Sequence, residues 1–252
     1  MLSAPNRYST FVSDVQIMTS WNTSPPPPEY SSNASSSIVF VENFNRDDSM
    51  DIGNNWNKTT YSVGVADIFS QQLRMGNQSA GCSAYLRDTV SRTLEDYNPT
   101  KTYDISFAYR RSFSGYYEHY FIVSLYGIHA DYTGEGAHSY KGISLSFASG
   151  YGGEQSIYVY NGVSQVDLLS FPWSSGASYY VKIRWHPGGV NYKIWLAADP
   201  EPVGWTREIN IPNRVIDGNS FVFHHNSSTQ VTMHCGGVAF SYIDNLKITT
   251  VE

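Results

Sequence analysis

Cysteine and charge are both scarce in this chain. Of its 252 residues two are cysteine and 15% are charged, and the net charge at pH 7 is −6. Two cysteines are too few for a disulfide-stabilised scaffold. We expect Cys82 and Cys235 to be free, buried thiols, and a disulfide between them across the sandwich is the open alternative. Because an acidic surface without clustered lysine and arginine repels phosphate, the composition argues against nucleic-acid binding.

Long apolar runs and the short motifs of many enzymes are also absent. No stretch approaches the roughly 18 consecutive apolar residues of a membrane helix, so we expect no membrane insertion. Residues 1–7 lack the basic and apolar regions of a secretory signal. The sequence contains no phosphate-binding loop, no dinucleotide-binding glycine pattern and no nucleophile elbow.

Aromatic residues, by contrast, are abundant: they make up 15% of the chain and include 20 tyrosines. From Ile38 onward, short runs alternate between apolar and polar residues and are separated by turn residues, whereas no apolar stripe of helical period is present. This pattern predicts an all-β sandwich or barrel over residues 38–252. The predicted strands are Ile38–Phe44, Tyr61–Val65, Gln72–Met75, Ser83–Arg87, Tyr103–Arg110, His119–Tyr126, Ile143–Phe147, Ser156–Tyr160, Tyr179–Trp185, Tyr192–Leu196, Arg207–Ile211, Phe221–His224 and Ser241–Thr249.

Residues 1–37 differ in composition from the rest and form a predicted extended arm rich in proline and serine. Pro25–Pro28 favours a short polyproline II rod, and the serines that follow favour a flexible spacer. Before them lies one apolar stretch, for which the alternatives are a disordered tail and a segment that docks on another protein. We expect it to act as an assembly arm through its larger side chains, Tyr8, Phe11, Val12, Val15, Ile17, Met18 and Trp21.

Three segments resemble parts of a known domain family: Val41–Trp56, Tyr192–Trp205 and Ser241–Ile248. Together they resemble a concanavalin A-like, laminin G-like jelly-roll domain over residues 38–252. The resemblance implies a concanavalin A-like jelly-roll β-sandwich preceded by the extended arm. Such sandwiches carry lectins, hydrolases and structural modules, so the fold alone assigns no function.

The Phe44–Arg46 segment and the Trp195–Trp205 stretch also resemble jelly rolls found in bacteriophage virion proteins. That resemblance implies a virion structural protein, either a head or tail decoration or a fibre subunit. It would form a homo-oligomer and be anchored to capsid or tail proteins through residues 1–37. Two uses of the displayed sandwich stay open, adhesion to host-surface glycans and stabilisation of the particle. A free carbohydrate-binding or carbohydrate-cleaving protein of the same fold is the alternative.

Glycosidases of this fold that retain anomeric configuration carry paired acids on one strand, as Glu-x-Asp-x-x-Glu. This spacing sets the two reacting carboxyl groups about 5–5.5 Å apart. The chain has no such run: Glu118, Asp131 and Glu135 are close only in sequence, and Asp199–Pro202 surrounds its acids with prolines. We therefore expect no catalytic residues and no enzymatic activity.

The resemblance further implies a structural calcium ion between the opening loop and the closing strand. Calcium takes roughly six to eight oxygen ligands, backbone carbonyls included. The candidate ligands are Glu42, Asp47, Asp48 and Asp244. The alternative is that these are ordinary turn acids, because no motif with calcium-ligand spacing is present.

Aromatic and histidine residues concentrate in two stretches, 114–120 and 126–140. Sugar sites use flat rings against the apolar face of the sugar, together with nearby hydrogen-bonding groups. Rings in loops are harder to bury in a core than rings on strands. The sequence therefore predicts glycan contact through Tyr116, Tyr117, His119, His129, Tyr132 and His138.

Overall fold

The computed structural model describes residues 36–60, 64–77, 86–95, 97–113, 118–125, 142–149, 155–216, 218–228 and 239–251. All the regular secondary structure within these ranges consists of β-strands. The strands are β1 (Ser36–Glu42), β2 (Asn57–Thr60), β3 (Gly64–Phe69), β4 (Gln72–Asn77), β5 (Leu86–Thr93), β6 (Thr102–Phe113), β7 (Glu118–Leu125), β8 (Ile143–Ser149), β9 (Gln155–Asn161), β10 (Ser164–Ser170), β11 (Ser178–His186), β12 (Gly189–Leu196), β13 (Arg207–Asn210), β14 (Ser220–Ser228) and β15 (Ala239–Val251). The described residues thus include no helix that could cross a membrane.

The strands form two antiparallel sheets that pack face to face. Sheet A has the order β13-β12-β11-β6-β15-β4-β3, with β1 also paired to β15, and sheet B has the order β10-β9-β8-β7-β14-β5-β2. The alternating sequence produces this arrangement because successive side chains of a strand point to opposite faces of its sheet. The expected all-β sandwich is confirmed.

Apolar side chains from both sheets form one core between them. It includes Trp185 and Phe107 from sheet A and Phe121, Phe147 and Phe223 from sheet B, all without solvent exposure. The four phenylalanine rings meet at centroid distances of 5.5 to 6.3 Å, as for Phe121 on Phe223 and Phe107 on Phe121. Each fully buried apolar side chain stabilises the fold by roughly 1.5–3 kcal/mol, so this core is the main source of stability.

The long strand β15 changes partner halfway along. One edge pairs with β6 throughout, while the other pairs first with β4 and, from Leu246 onward, with β1. The change takes place at a bulge where the pairing with β6 shifts register between Asp244 and Lys247. Asn245 has a φ of 53° there, a left-handed conformation that asparagine tolerates better than most residues.

The sandwich has two ends, and the registers show which connections lie at each. Ser36 pairs with Val251, which pairs with Thr102, so β1 and β6 begin and β15 ends at one end. We call this the arm end, because residues 1–35 precede β1. The β5–β6, β7–β8, β9–β10 and β13–β14 connections also lie at the arm end, since β14 begins beside the last residues of β5 and β7.

Candidate functional site

The outer face of sheet A is covered by part of the chain itself. The β12–β13 connection, residues 197–206, folds over it and buries Lys193, whose residue surface is only 4% exposed. The Lys193 ammonium forms an ion pair with Glu201 Oε1 at 2.6 Å and donates to the Pro202 carbonyl at 2.7 Å. Lys193 Nζ also lies 5.3 Å from the centre of the Trp205 ring, within range of a cation–π contact. The internal carboxylate and carbonyl thus neutralise and satisfy the buried ammonium.

The outer face of sheet B has a different chemistry. In β8 the residues Ile143, Leu145 and Phe147 face the core, so alternation turns Ser144 and Ser146 outward. The registers of five strands then align two rows across the sheet. These rows are Thr89, His224, Ile122, Ser146 and Tyr158, and Ser91, Val222, Ser124, Ser144 and Tyr160.

Two hydroxyl groups in the middle of this face have no hydrogen-bond partner. Ser144 and Ser146 are both fully buried, and the Oγ atom of each lacks a partner. Leaving a buried polar group unsatisfied costs about 1–3 kcal/mol. A pair of such groups on one face is therefore a local cost to stability that the fold itself does not repay.

Aromatic and hydrogen-bonding side chains border these serines. The rings of Tyr158 and Tyr160 are stacked, with centroids 6.1 Å apart and planes at 25°, and Tyr120 and Tyr158 are half-buried against Ile122 and Tyr160. Burial, with a smaller effect of neighbouring Tyr158, raises the pKa of Tyr160 to about 12, so its phenol stays neutral. Among the described side chains of the two rows there is no carboxylate.

Comparison with solved structures shows which known fold this sandwich has. Lectin UEA-II complexed with galactose superposes with a TM-score of 0.60 at 11% identity, over 85% of this chain and 99% of that chain. The CBM2 module of the evolved Dit protein of Lactobacillus casei BL23 phage J-1 gives 0.55 at 10% identity, over 86% and 97%. The fold is a concanavalin A-like jelly roll. A xylan β-1,4-xylosidase from Bacillus halodurans C-125 gives 0.51 at 12% identity, over 82% of this chain but 38% of that enzyme.

Sequence comparison adds nothing to this structural likeness. No protein-family model matches the chain, and no curated protein matches it either. Identities of 10–12% show the jelly-roll fold alone. The chemistry of this jelly roll therefore has to be argued from its own residues.

Most of the predicted glycan-contacting residues lie outside the described ranges: Tyr116, Tyr117, His129, Tyr132 and His138. His119 belongs to β7, where its backbone pairs opposite Ser149 and Ser227, but its side chain is not described. The eight residues of β7 separate its two ends by about 23 Å. The predicted residues before β7 and those after it are thus attached at opposite ends of the sandwich, and both groups adjoin a central strand of sheet B.

The opening segment encloses the carboxylate of Glu42, a candidate calcium ligand that is 4% exposed. Its Oε1 atom accepts hydrogen bonds from the Phe44 amide at 3.0 Å and from Arg46 Nη1 at 3.2 Å. Its Oε2 atom accepts from Asn54 Nδ2 at 2.8 Å and from Trp56 Nε1 at 3.4 Å. Burial acts to raise the pKa of Glu42, but the hydrogen bonds from Asn54 and Phe44 and the charge of Arg46 outweigh it, so the pKa lies below its ordinary value.

The other three candidate calcium ligands do not surround one point with Glu42. Asp47 is exposed, Asp48 Oδ1 accepts from the Ser70 amide at 2.7 Å, and Asp244 lies at the β15 bulge. Burial, and to a smaller extent the charge of Glu42, raises the pKa of Asp244 to about 6. Within the described ranges no three histidine, cysteine, aspartate or glutamate residues form a group that could hold a metal ion. A calcium ion here would need backbone carbonyls as additional ligands, and it stays a prediction.

Two further predictions fall outside the described residues. The arm side chains between Tyr8 and Trp21 lie there, and so do Cys82 and Cys235. The two rows on sheet B are not visible in the sequence. The alternation of apolar and polar residues predicts strands at Ile143–Phe147 and Ser156–Tyr160. Only the registers between strands show that Ser146 lies beside Tyr158 and Ile122 beside His224.

Proposed function

We propose that the chain is a carbohydrate-binding jelly roll within a bacteriophage virion structural protein, and that it is not an enzyme. The observation that carries the proposal is the outer face of sheet B. It combines tyrosine rings with neutral hydrogen-bonding groups, which are the two kinds of contact that sugars require.

A sugar ring would pack against the half-buried Tyr158 and Tyr120, whose rings border the face. Thr89 Oγ1 lies 2.8 Å from His224 Nδ1, and this pair would exchange hydrogen bonds with sugar hydroxyls. The neutral phenol of Tyr160 is a donor at the same border. The lectin complexed with galactose and the phage carbohydrate-binding module share the fold and support a sugar as the ligand.

The absence of activity is proposed on the chemistry of the rows. Hydrolysis with retention needs two carboxyl groups about 5–5.5 Å apart, and the described side chains of the rows supply none. The alternative, a free protein that binds or cleaves carbohydrate, is favoured by the likeness to the xylosidase. Polysaccharide turnover that disappears in Glu118→Gln or Glu135→Gln would establish that alternative.

The virion role rests on other observations. The fold is shared with a module of a phage Dit protein, and the composition of residues 1–37 suits an extended anchor. We propose that this arm joins the sandwich to capsid or tail proteins, as a head or tail decoration or fibre subunit that forms a homo-oligomer. Deletion of residues 1–30 should leave a folded sandwich that is missing from particles. Normal occupancy of the truncated chain would contradict this.

Sugar binding is tested with the purified full chain on a glycan array, followed by calorimetric titration of the best oligosaccharide. We expect Tyr158→Ala to weaken binding about tenfold or more, because it removes a stacking ring. Trp205→Ala is the matched control, since it removes an aromatic ring from the outer face of the other sheet and should leave the affinity unchanged. Equal losses in both variants, or no binding to any glycan, would overturn the proposal.

A further inference from the structure

The strand β10 is a long edge strand. Sheet B ends at β10 on one side and at β2 on the other, and sheet A ends at β13 and β3, with β1 as a further edge strand because it pairs only with β15 in the described ranges. β2 and β13 have four residues each, and the four central residues of β3 are buried. β10 has seven residues, and five of them are exposed, whereas β1 has the same length but only three exposed residues among those whose burial is described. Natural edge strands are commonly kept short or charged because their free backbone groups recruit other strands.

An apolar stripe runs along this edge. Val166 and Leu168 on β10 are 41% and 48% exposed, and Val163 in the preceding turn is 69% exposed. The stripe continues onto Val215 and Ile216, which are also exposed. That segment is tied to the turn, because the Val215 amide donates to Asn161 Oδ1 at 2.7 Å. Five of the eleven exposed large apolar side chains in the described ranges belong to this stripe.

The edge carries few of the devices that discourage strand addition. Its one ionisable side chain, Asp167, is turned toward Arg207 of β13, 3.6 Å away. No proline or lysine occurs in Ser164–Ser170. One bulge interrupts the pairing with β9 between Gln165 and Asp167, but the rest of the strand presents outward N–H and C=O groups, as edge strands of antiparallel sheets do.

We propose that the segment Tyr8–Met18 of the same chain adds to β10 as an antiparallel edge strand. This goes beyond the proposed function, because it places the arm on the sandwich of the same chain in the free protein, before assembly with any other virion protein. In an extended segment Phe11, Val15 and Ile17 would share one face with Ser13, whereas Val12, Asp14 and Gln16 would lie on the other. Such period-2 spacing suits a strand that covers an apolar stripe on one side.

The direction and length of the arm fit this position. β10 begins at the arm end, where its first residue Ser164 pairs with Asn161. An antiparallel neighbour therefore finishes at the arm end, and β1 begins there too. Residues 19–35 can span about 55 Å when extended. The distance across sheet A from β1 to β13, which adjoins β10, is about five strand spacings or 24 Å, so the connection reaches without strain.

Hydrogen–deuterium exchange of the full chain tests the proposal. We expect amides of residues 8–18 to exchange about tenfold or more slowly than in a synthetic peptide of the same sequence. The double variant Val166→Lys, Leu168→Lys should abolish this protection while core amides of β6 and β11 stay protected. Thr59→Lys, on the opposite edge strand of sheet B, is the control and should retain the protection of residues 8–18.

Three results would overturn the proposal. The first is exchange of residues 8–18 at the peptide's rate in the unmodified chain. The second is full protection in the β10 double variant, which would place the segment elsewhere. The third is protection that rises with protein concentration, because the segment would then be docked on a second copy.

Discussion

The outer faces of the two sheets differ in how their buried polar side chains are paired. Both carry buried polar side chains on the sheet surface that points away from the shared core. On sheet A Lys193 and Lys182 both form ion pairs with Glu201, which lies in the segment of the chain that covers the face. On sheet B the hydroxyls of Ser144 and Ser146 are buried without any partner.

This difference separates a polar group that the chain pairs internally from hydroxyl groups that it leaves unpaired. Lys193 is surrounded by a carboxylate, a carbonyl and two indole rings, so its ammonium needs no further partner. Unsatisfied hydroxyls are retained at a cost, and a cost of this kind is commonly found where a protein binds. The Trp195–Trp205 stretch, prominent in the sequence, therefore belongs to the self-satisfied face.

The largest expected effect is on sheet A. Lys193→Ala leaves Glu201 without its closest partner under the covering segment, and loss of one member of a buried ion pair costs about 3–5 kcal/mol. We expect a loss of about 3 kcal/mol in the free energy of unfolding, measured by urea denaturation, with unchanged sugar affinity. Lys182→Ala, whose Nζ lies 3.6 Å from the same carboxylate, is the control and should cost clearly less. A loss of sugar affinity in Lys193→Ala but not in Lys182→Ala would contradict the purely structural role of Lys193 on sheet A.

Glu42 extends the self-satisfied region to the opening loop. Glu42→Gln keeps the shape of the side chain but places an NH2 group opposite hydrogen-bond donors. We expect the free energy of unfolding to fall by about 2 kcal/mol. Because the folded-state pKa is lowered, the ionised carboxylate stabilises the protein above its ordinary pKa of 4.5, and this contribution is lost as pH falls through the folded value. Denaturation between pH 3 and 7 should show a smaller acid dependence in the variant. If the stability of the parent and of Glu42→Gln depended on pH in the same way, Glu42 would not have this structural role.

Asp244 is the polar group of sheet A that is poorly accommodated. Its folded pKa of about 6 lies above the ordinary 3.8, so the protonated form stabilises the fold below pH 3.8 and this stability is lost as pH rises through 6. We therefore expect Asp244→Asn to be more stable than the parent above pH 6, by about 1–2 kcal/mol after allowance for partial exposure. The gain should vanish near pH 3.8.

The same variant tests the calcium prediction. A calcium ligand at Asp244 would make Asp244→Asn less stable at neutral pH, and EDTA would lower the melting temperature of the parent to match. A stabilised variant and a melting temperature indifferent to EDTA would remove Asp244 from any metal site.

The smallest effect, and the one most specific to sheet B, is expected from Ser146→Ala. Removing an unsatisfied buried hydroxyl should raise the free energy of unfolding by about 1 kcal/mol, while sugar affinity falls. Ser106→Ala on the outer face of sheet A is the matched control and should change neither quantity appreciably. Loss of stability in Ser146→Ala would mean that the hydroxyl is internally satisfied, and the contrast between the faces would fail.

Most of the fold could be predicted because alternation is a local property of the sequence. Tyr103–Arg110 and Tyr179–Trp185 were predicted as strands and lie within β6 and β11. The strands β2 and β10 were missed, because edge strands bury one side only weakly and Asn57–Thr60 and Ser164–Ser170 show no clean alternation. The concanavalin A-like architecture was predicted from resemblance and is confirmed.

The candidate site could not be predicted in the same way. Its rows join residues as distant in sequence as Thr89, His224 and Ser146, and only strand order and register bring them together. Glu42 illustrates the same limit. Its acidity suggested a metal ligand, but the donors that satisfy it come from Arg46, Asn54 and Trp56 through the path of the opening loop.

The central claim is that the outer face of sheet B binds carbohydrate. The most direct measurement is amide chemical-shift mapping of the isotope-labelled full chain during titration with the oligosaccharide selected on the array. We predict that the shifts concentrate on β7, β8, β9 and β14, around Ser146, Tyr158 and His224. Shifts confined to β11, β12 and the segment over Lys193, or no shifts at all, would contradict the account.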